Sequence, residues 1–279
     1  MKTRIVVDST ADILPEYLDQ IHTVPLTVSF GEEEYIDGVT MDHRTFYQKL
    51  IETDAMPSTS QASPAAFAEQ YDQAAADDEE VVVITISSKL SGTYQSAMIA
   101  AAGRSSVYVV DSENASVGCG ILVGLALRYL RDGMTASAIA EKLQKDKKKI
   151  VVIALLDTLE YLKRGGRISK AAAFAGGLLN IKPVISIADG EIQLLGKARG
   201  SKMGNNLLAQ QIQKVGGIDF TKPVLLGYTG LSDVLLQKYI EDSSYLWSAS
   251  LDDVRYVSIG SVIGAHAGPG AIAVAFFRK

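Results

Sequence analysis

The run Arg4-Ile5-Val6-Val7-Asp8-Ser9-Thr10 is a short apolar segment that ends in polar side chains. Tyr108-Val109-Val110-Asp111-Ser112 repeats that arrangement, and the apolar run 81–86 leads into Ser87-Ser88. Continuous apolar runs of this length are typical of strands that are buried on both faces, as in parallel sheets. Ligands bind beyond the carboxyl ends of such strands, so the polar residues collected there indicate a site. The alternative is that they only cap the following helices.

Helical patterns separate these strands. Ser63-Pro64 supplies a cap and a first-turn proline before a predicted helix over 65–76, and further helices are predicted over 115–131 and 135–148. Alternating strands and helices predict a doubly wound, mainly parallel α/β domain. We assign it residues 1–155 and include residues 150–155 as its last strand.

The pattern changes after residue 155. Helices are predicted over 157–163 and 169–178, and a hairpin is predicted from residues 184–187 and 192–195 around Asp189-Gly190. Further strands near 224–228, 254–259 and 271–277 alternate with helices near 201–215 and 231–240. Residues 156–279 are therefore expected to form an α+β domain with a mainly antiparallel sheet, and a ligand is expected between the two domains.

Composition excludes several classes of protein. The 279 residues carry a net charge of -5, which argues against a nucleic-acid-binding surface. Cys119 is the only cysteine, which favours a reducing cytoplasm. The apolar run 5–7 is too short for a signal peptide. Residues 256–277 lack charged side chains, but their glycines and proline favour two strands around a turn over a membrane helix, so we expect no stable membrane insertion.

Ser91-Gly92 is the clearest candidate site. A serine followed by glycine at a helix start offers a hydroxyl, backbone N–H groups and the positive end of the helix dipole, which together suit an anion. Gly92 would let a ligand approach the main chain closely. A capped helix without a ligand is the alternative.

Other candidates are weaker taken singly. Thr59 and Ser60 lie in a hydroxyl-rich segment that also suits an ordinary polar loop. His266 lies in a predicted glycine-rich turn, where its neutral ring could donate one hydrogen bond to a carboxyl group and accept another, or bond only to nearby backbone. Arg164 and Arg167 flank the Gly165-Gly166 joint, where they could reach a carboxyl group or simply be solvated. His22 and His43 are interpreted as surface residues.

The sequence contains no G-x-x-x-x-G-K-[ST] loop, no G-x-G-x-x-G fingerprint, no G-x-S-x-G elbow and no histidine pair at metal-ligand spacing. It therefore shows no machinery of an independent kinase, dehydrogenase, hydrolase or zinc enzyme, and we predict neither a metal nor a cofactor.

Six motifs occur in order along nearly the whole chain. They are Asp8-Ser9-Thr10-Ala11-Asp12, Thr59-Ser60-Gln61, Leu90-Ser91-Gly92-Thr93-Tyr94-Gln95-Ser96-Ala97, the segment 157–168, Asn180-Ile181-Lys182-Pro183 and His266-x-Gly268-Pro269-Gly270. In their combination and order they resemble the DegV family.

The resemblance implies a non-catalytic, cytoplasmic protein that binds a long-chain fatty acid such as palmitate, stearate or oleate. Some family members present the carboxyl group to the separate ATP-binding subunit of bacterial fatty acid kinase, in phospholipid metabolism. The implied carboxyl-binding residues are Thr59, Ser91, Gly92 and His266.

Three further residues are carried over less firmly from the family. Arg167 and Ser60 are implied in a polar network near the head group. Arg199 matches a position that faces the kinase subunit, although a surface arginine without a role is the alternative.

Two other functions stay open. The chain could be a stand-alone acyl or phosphoryl transfer enzyme in which Ser91 is the nucleophile and His266 the base. It could also be a lipid-responsive regulatory protein, because a sensor and a carrier require the same pocket.

Overall fold

The computed structural model of the chain describes residues 2–53, 55–168, 180–247 and 254–279. The helix predicted over 169–178 lies outside these residues. The described strands are β1 Lys2–Asp8, β2 His22–Val24, β3 Thr27–Phe30, β4 Glu33–Ile36, β5 Pro57–Ser60, β6 Glu79–Thr85, β7 Val107–Asp111, β8 Ile150–Leu155, β9 Ile181–Ala188, β10 Glu191–Arg199, β11 Leu225–Tyr228, β12 Tyr256–Ser258 and β13 Ile272–Phe277. The described α-helices are α1 His43–Glu52, α2 Pro64–Ala76, α3 Thr93–Ala101, α4 Val117–Arg131, α5 Ala136–Asp146, α6 Glu160–Arg164, α7 Ser201–Lys214, α8 Val234–Asp242 and α9 Ser261–Ala267.

The amino-terminal sheet is parallel, as the apolar runs predict. Its strand order is β2-β1-β6-β7. Alternate residues of β1 enter different cores: Ile5 and Val7 pack in the core that holds α4 and α5, whereas Val6 packs in the core that holds α2. The predicted cap of α2 is confirmed, because the Ser63 side chain accepts a hydrogen bond from Ala66 N.

The second sheet is six-stranded, with the order β10-β9-β8-β13-β11-β12. The inclusion of residues 150–155 in the parallel sheet was wrong, because β8 pairs antiparallel with both β13 and β9. A short apolar run shows that a strand is buried on both faces but not in which direction its neighbours run. The division of the chain at residues 155 and 156 stays a prediction.

The β9–β10 hairpin is confirmed. Ala188 pairs with Glu191, so Asp189 and Gly190 form a two-residue turn. Their φ angles of 50° and 79° are both left-handed, which is the conformation that a type I′ turn requires.

A small antiparallel sheet with the order β4-β3-β5 was not predicted. Its strand β5 carries Thr59 opposite Val28 of β3, so Thr59 is held on a strand and not in a polar loop. The sequence Pro57-Ser58-Thr59-Ser60 has no apolar alternation, which is why a strand signal is missing there.

The prediction of two strands around a turn in residues 256–277 was wrong in its middle part, where α9 lies between β12 and β13. Glycine permits this helix to pack closely, since a Cβ at Gly264 would lie 2.5 Å from Tyr47 Oη. His266 therefore lies in the last turn of a helix. Among the described residues, no helix is both long enough and apolar enough to span a bilayer.

Candidate functional site

A cavity of ≈ 390 Å³ lies between one face of the six-stranded sheet and the loops that follow β6 and β7. Its apolar sheet-derived wall consists of alternate residues of neighbouring strands: Val152 and Ala154 of β8, Ile185 and Ile187 of β9, and Ala271 and Ala273 at β13. Helix α9 supplies Val262 and Ile263 on another side. The cavity therefore extends from the carboxyl edge of the parallel sheet across the neighbouring mixed sheet.

Small side chains explain why this space is not filled. Ala154 lies directly opposite Ala273 in the β8–β13 pair, and it lies opposite Ile185 in the β8–β9 pair. Two adjacent alanines leave a gap that larger aliphatic residues would close, because protein interiors otherwise pack densely. On the other face of the sheet, Ile153 and Leu155 belong to a filled core that includes residues of α7.

The polar end of the cavity begins with Thr59 and His266. Thr59 Oγ1 and His266 Nε2 lie 2.9 Å apart, although 207 positions separate them in sequence. Both residues line the cavity. The structure therefore joins β5 and α9 through side chains that were singled out independently in the sequence.

The ring of His266 is held in its neutral form. Burial, together with the positive charge of Arg167, lowers the pKa of His266 to about 4. Its Nδ1 is buried without a hydrogen-bond partner in the described structure. Gly165 packs so closely against the ring that a Cβ there would lie 2.1 Å from Nδ1. A neutral imidazole keeps one donor and one acceptor nitrogen, and the bond to Thr59 uses Nε2 in one of these two roles.

Ser91 enters the cavity at the start of α3. Its hydroxyl accepts a hydrogen bond from Thr93 N at 3.2 Å and lies 2.9 Å from Thr93 Oγ1. Gly92 is the residue that precedes α3, and it also lines the cavity. A Cβ at Gly92 would lie 1.9 Å from Gln61 Oε1, so any other residue here would displace the end of the Gln61 side chain.

Arg167 connects these two groups. Its Nε donates to Leu90 O at 3.1 Å, and its Nη1 donates to Gly165 O at 2.7 Å. The guanidinium is thus fixed between the Ser91 loop and the residue that packs on His266. It places a positive charge at the cavity wall, where this charge can stabilise a negatively charged ligand group.

The remaining sequence candidates occupy different places. Ser60 lines the cavity although it is largely exposed. Arg164 is exposed and pairs with Glu160 on its own helix at 2.7 Å. Arg199 is exposed at the end of β10 and is not among the residues that line the cavity. The interpretation of His43 as a surface residue was too simple, since it is partly buried and close enough to Asp12 to influence the pKa of that carboxyl group.

Sequence reasoning missed several residues of this site. Gln61 packs on Gly92 and donates to Ser96 Oγ at 2.8 Å, and Ser116 lines the cavity. Gln61 stood in a quoted motif, whereas alanines such as Ala154 gave no signal because their role depends on a neighbouring strand.

The comparisons with known proteins agree along the whole chain. The family model described as an uncharacterised protein of the DegV family matches residues 2–279. A DegV domain-containing protein of Caldanaerobacter subterraneus subsp. tengcongensis is 35% identical over 285 residues, covering 100% of this chain and 99% of that protein.

Two solved structures share the fold. A fatty-acid-binding DegV family protein from Thermus thermophilus is 34% identical with a TM-score of 0.87, covering 99% of this chain and 100% of that one. A stearic acid-binding protein from Eubacterium ventriosum is 31% identical with a TM-score of 0.88, covering 100% of this chain and 99% of that one.

Proposed function

The chain belongs to the DegV family, and from that premise we propose that it binds one long-chain fatty acid, such as palmitate, stearate or oleate, in the cavity described above. The observation that carries the proposal is the composition of this cavity. Thr59 and His266 are hydrogen-bonded at its wall, Ser91 and Arg167 line the same wall, and the facing strands supply aliphatic side chains. An amphiphile with one polar group and a long tail matches both parts.

Affinity and orientation come from different parts of the ligand. Burying about 14 methylenes at about 0.8 kcal/mol each provides roughly 11 kcal/mol. Each hydrogen bond to a charged group contributes only about 1.5 to 3 kcal/mol. In our proposal the tail therefore supplies most of the affinity, and the hydroxyls fix the position of the carboxyl group.

The charges of the site favour the carboxylate form. We infer that the neutral His266 ring donates from Nε2 to Thr59, so that the Thr59 hydroxyl hydrogen is free for the ligand. Ser91 and the Gly92 amide bind the same carboxylate, Ser60 lies at the rim, and Arg167 supplies positive charge from the side.

The binding test is a calorimetric titration of delipidated protein with oleate and with methyl oleate. The ester keeps the tail but removes the charge. We expect both to bind, with oleate at least about tenfold tighter, the equivalent of one hydrogen bond to a charged group. Equal affinities would contradict the proposed head-group site, and the absence of binding by either compound would contradict the function.

We propose further that the bound carboxylate is presented to a separate ATP-binding kinase subunit. One carboxylate oxygen would attack the γ-phosphorus of ATP, forming an acyl phosphate as the bond to ADP breaks. Arg199 is available for a contact with such a partner, because its side chain is exposed at the end of β10 and is not among those that line the cavity. A carboxylate held by hydroxyls stays more accessible than one held by a bidentate arginine pair.

Hydroxylamine trapping of acyl phosphate tests this second proposal with a fatty acid kinase ATP-binding subunit and ATP. Arg199→Ala is expected to slow trapping without changing oleate affinity, and Arg44→Ala, an exposed arginine on α1, is the control. If Arg199→Ala changes trapping no more than Arg44→Ala does, the assigned contact is wrong.

The alternative of a stand-alone transferase is less well supported by the geometry. It requires Ser91 to give its proton to His266, but the hydroxyl partner of Ser91 is Thr93 and the partner of His266 Nε2 is Thr59. Turnover of an activated ester by the isolated chain, abolished by His266→Ala, would favour that alternative.

A further inference from the structure

Asp12 is a buried carboxylate beside the cavity, with only 5% of its surface exposed. Its Oδ1 accepts a hydrogen bond from Gly260 N at 2.7 Å. Its Oδ2 accepts one from Ser116 Oγ at 2.6 Å. One side chain thus joins three segments that are far apart in sequence.

Both partners of Asp12 lead to the proposed ligand. Gly260 directly precedes α9, the helix that ends beside His266. Seven helical residues span only about 10 Å. A displacement at the start of α9 therefore moves the imidazole of His266 by a similar distance. The position of the ring against Thr59 therefore depends on how this helix start is held.

Ser116 makes the second connection. It lines the cavity, and its φ of 55° is unusual for a residue with a side chain. Such a backbone persists only where surrounding contacts impose it. The contacts here are the hydroxyl bond to Asp12 and a bond from Ser116 N to Thr10 O at 3.1 Å. Asp12 thereby helps to fix one wall of the cavity.

The surroundings of Asp12 are unusual for a residue that only caps a turn. Burial raises the pKa of Asp12 to about 6, and the electrostatic interaction with His43 opposes that rise. Asp37 faces it from the segment after β4, Tyr47 faces it from α1, and Cys119 faces it from α4. A surface groove lined by Asp12, Asp37 and His43 lies on this side of the molecule.

We propose that Asp12 is a positioning residue for fatty-acid binding: by holding Gly260 and Ser116 it places His266 against Thr59 and shapes the cavity wall. The inference rests on the proposed function for its ligand, but its structural part concerns the ligand-free protein. It explains why a carboxylate is kept in a buried position where the charged form is disfavoured.

Asp12→Ala and Asp12→Asn separate the role of the hydrogen bonds from that of the charge. The alanine variant leaves Gly260 N and the Ser116 hydroxyl without their acceptor. The asparagine variant keeps an acceptor oxygen for Gly260 N, and its amide nitrogen can donate to Ser116 Oγ. We therefore expect the asparagine variant to keep the position of His266 and the oleate affinity that the alanine variant loses.

The experiment follows the titration of the His266 ring by NMR in ligand-free protein labelled with ¹⁵N-histidine, using His266→Gln to assign the signal. In the wild type, burial keeps the pKa of His266 at about 4. In Asp12→Ala the pKa of His266 should rise by about one unit or more towards its ordinary value, because the ring becomes more hydrated. The oleate Kd of the same variant should rise at least about tenfold, and Asp12→Asn should stay near the wild type in both measurements.

Tyr129→Phe is the matched control, because it removes another partly buried hydrogen bond to a carboxylate, that from Tyr129 to Asp146. It should lower stability and leave the His266 titration unchanged. An unchanged His266 titration in Asp12→Ala, or an asparagine variant as damaged as the alanine variant, would overturn the inference. If the wild type binds no oleate, the proposed function fails, while the ligand-free titration still decides the role of Asp12.

Asp12→Glu carries the test if Asp12→Ala does not fold. It keeps the charge but adds one methylene, so the carboxylate no longer fits between Gly260 N and Ser116 Oγ. A rise in the pKa of His266 is again expected, and a titration like that of the wild type would overturn the proposal.

Discussion

Thr59 and Ser91 reach the cavity from different elements, and each has its own hydrogen-bond partner there. Thr59 is paired with His266, and Ser91 is paired with Thr93. A partner that is already in place lowers the entropy lost when a ligand fixes the hydroxyl. At the residue scale, both hydroxyls are therefore already positioned at the cavity wall for the proposed carboxylate.

Ser91→Ala should weaken the fixation of the carboxyl group more than the binding of the tail. Loss of one hydrogen bond to a charged group, about 1.5 kcal/mol, should raise the oleate Kd roughly tenfold and leave the Kd of methyl oleate almost unchanged. Calorimetry measures both constants. Ser88→Ala, an exposed serine in the same loop, is the control. An equal loss of affinity for the acid and the ester would contradict the assigned role of Ser91.

His266 predicts a specific dependence of stability on pH. Its folded-state pKa of about 4 lies below the ordinary value of 6.5, so the unfolded chain binds a proton that the folded protein resists. Its contribution to stability is therefore full above about pH 6.5 and is lost as the pH falls towards about 4. Relative to His266→Gln, the wild type should lose about 3 kcal/mol across this window, since each pKa unit corresponds to about 1.4 kcal/mol. Urea unfolding at several pH values measures the difference, and parallel curves for the two proteins would show that the ring is not buried in its neutral form.

Two elements, the start of α3 and the face of the mixed sheet, would bind the two ends of the proposed ligand. Gly92, which directly precedes α3, packs against the Gln61 amide, and the sheet supplies neighbouring alanines where larger residues would fill the space. Each element holds space open for a ligand through small residues. At this scale, small residues decide the shape of the site, because larger side chains would fill the cavity.

Gly92→Ala should reduce oleate affinity and lower stability only slightly, because its Cβ would lie 1.9 Å from Gln61 Oε1 and displace the end of that flexible side chain. Adding Gln61→Ala removes that clash and should restore the melting temperature. Affinity should remain at least about tenfold weaker, since the carboxylate also needs to approach the Gly92 amide. Full recovery of oleate affinity in the double variant would mean that Gly92 serves only to accommodate Gln61.

Ala154→Leu should shorten the fatty acid that the cavity accepts. The larger side chain projects from the face of the β8–β13 pair into the cavity, so the melting temperature of the ligand-free protein should hold or rise as the cavity is filled. Stearate affinity should fall at least about tenfold, while decanoate, which needs less room, should lose far less. Calorimetry with fatty acids of increasing chain length measures these affinities. An unchanged preference for stearate would mean that the tail does not bind beside Ala154.

At the scale of the whole molecule, the sequence predicts individual strands, helices and hairpins better than it predicts which distant segments contact one another. The β9–β10 hairpin follows from two runs around Asp189-Gly190, and the parallel strands follow from continuous apolar runs. The residues of β8 do not determine whether its neighbouring strands run parallel or antiparallel to it, so that strand was assigned to the wrong sheet. A strand without apolar alternation, such as β5, and a glycine-containing helix, such as α9, gave the wrong local signal.

The candidate site follows the same division. Ser91-Gly92 could be proposed as an anion site from its position at a helix start alone. Thr59 and His266 are recognisable as site residues only because they lie 2.9 Å apart in the folded chain. The contact of Asp12 with Gly260 crosses 248 positions and no local pattern could predict it. Residues that act on a ligand together are recognisable only when the fold has brought them together.

In the proposed complex, one fatty acid occupies the cavity with its carboxyl group between Thr59 and Ser91. The most direct measurement is mass spectrometry of the lipid extracted from denatured, purified protein, followed by oleate and palmitate uptake by the delipidated chain. We expect one long-chain fatty acid per protein chain, and uptake that restores the same ratio. A purified protein that yields no stoichiometric fatty acid, and takes up neither compound, would contradict it.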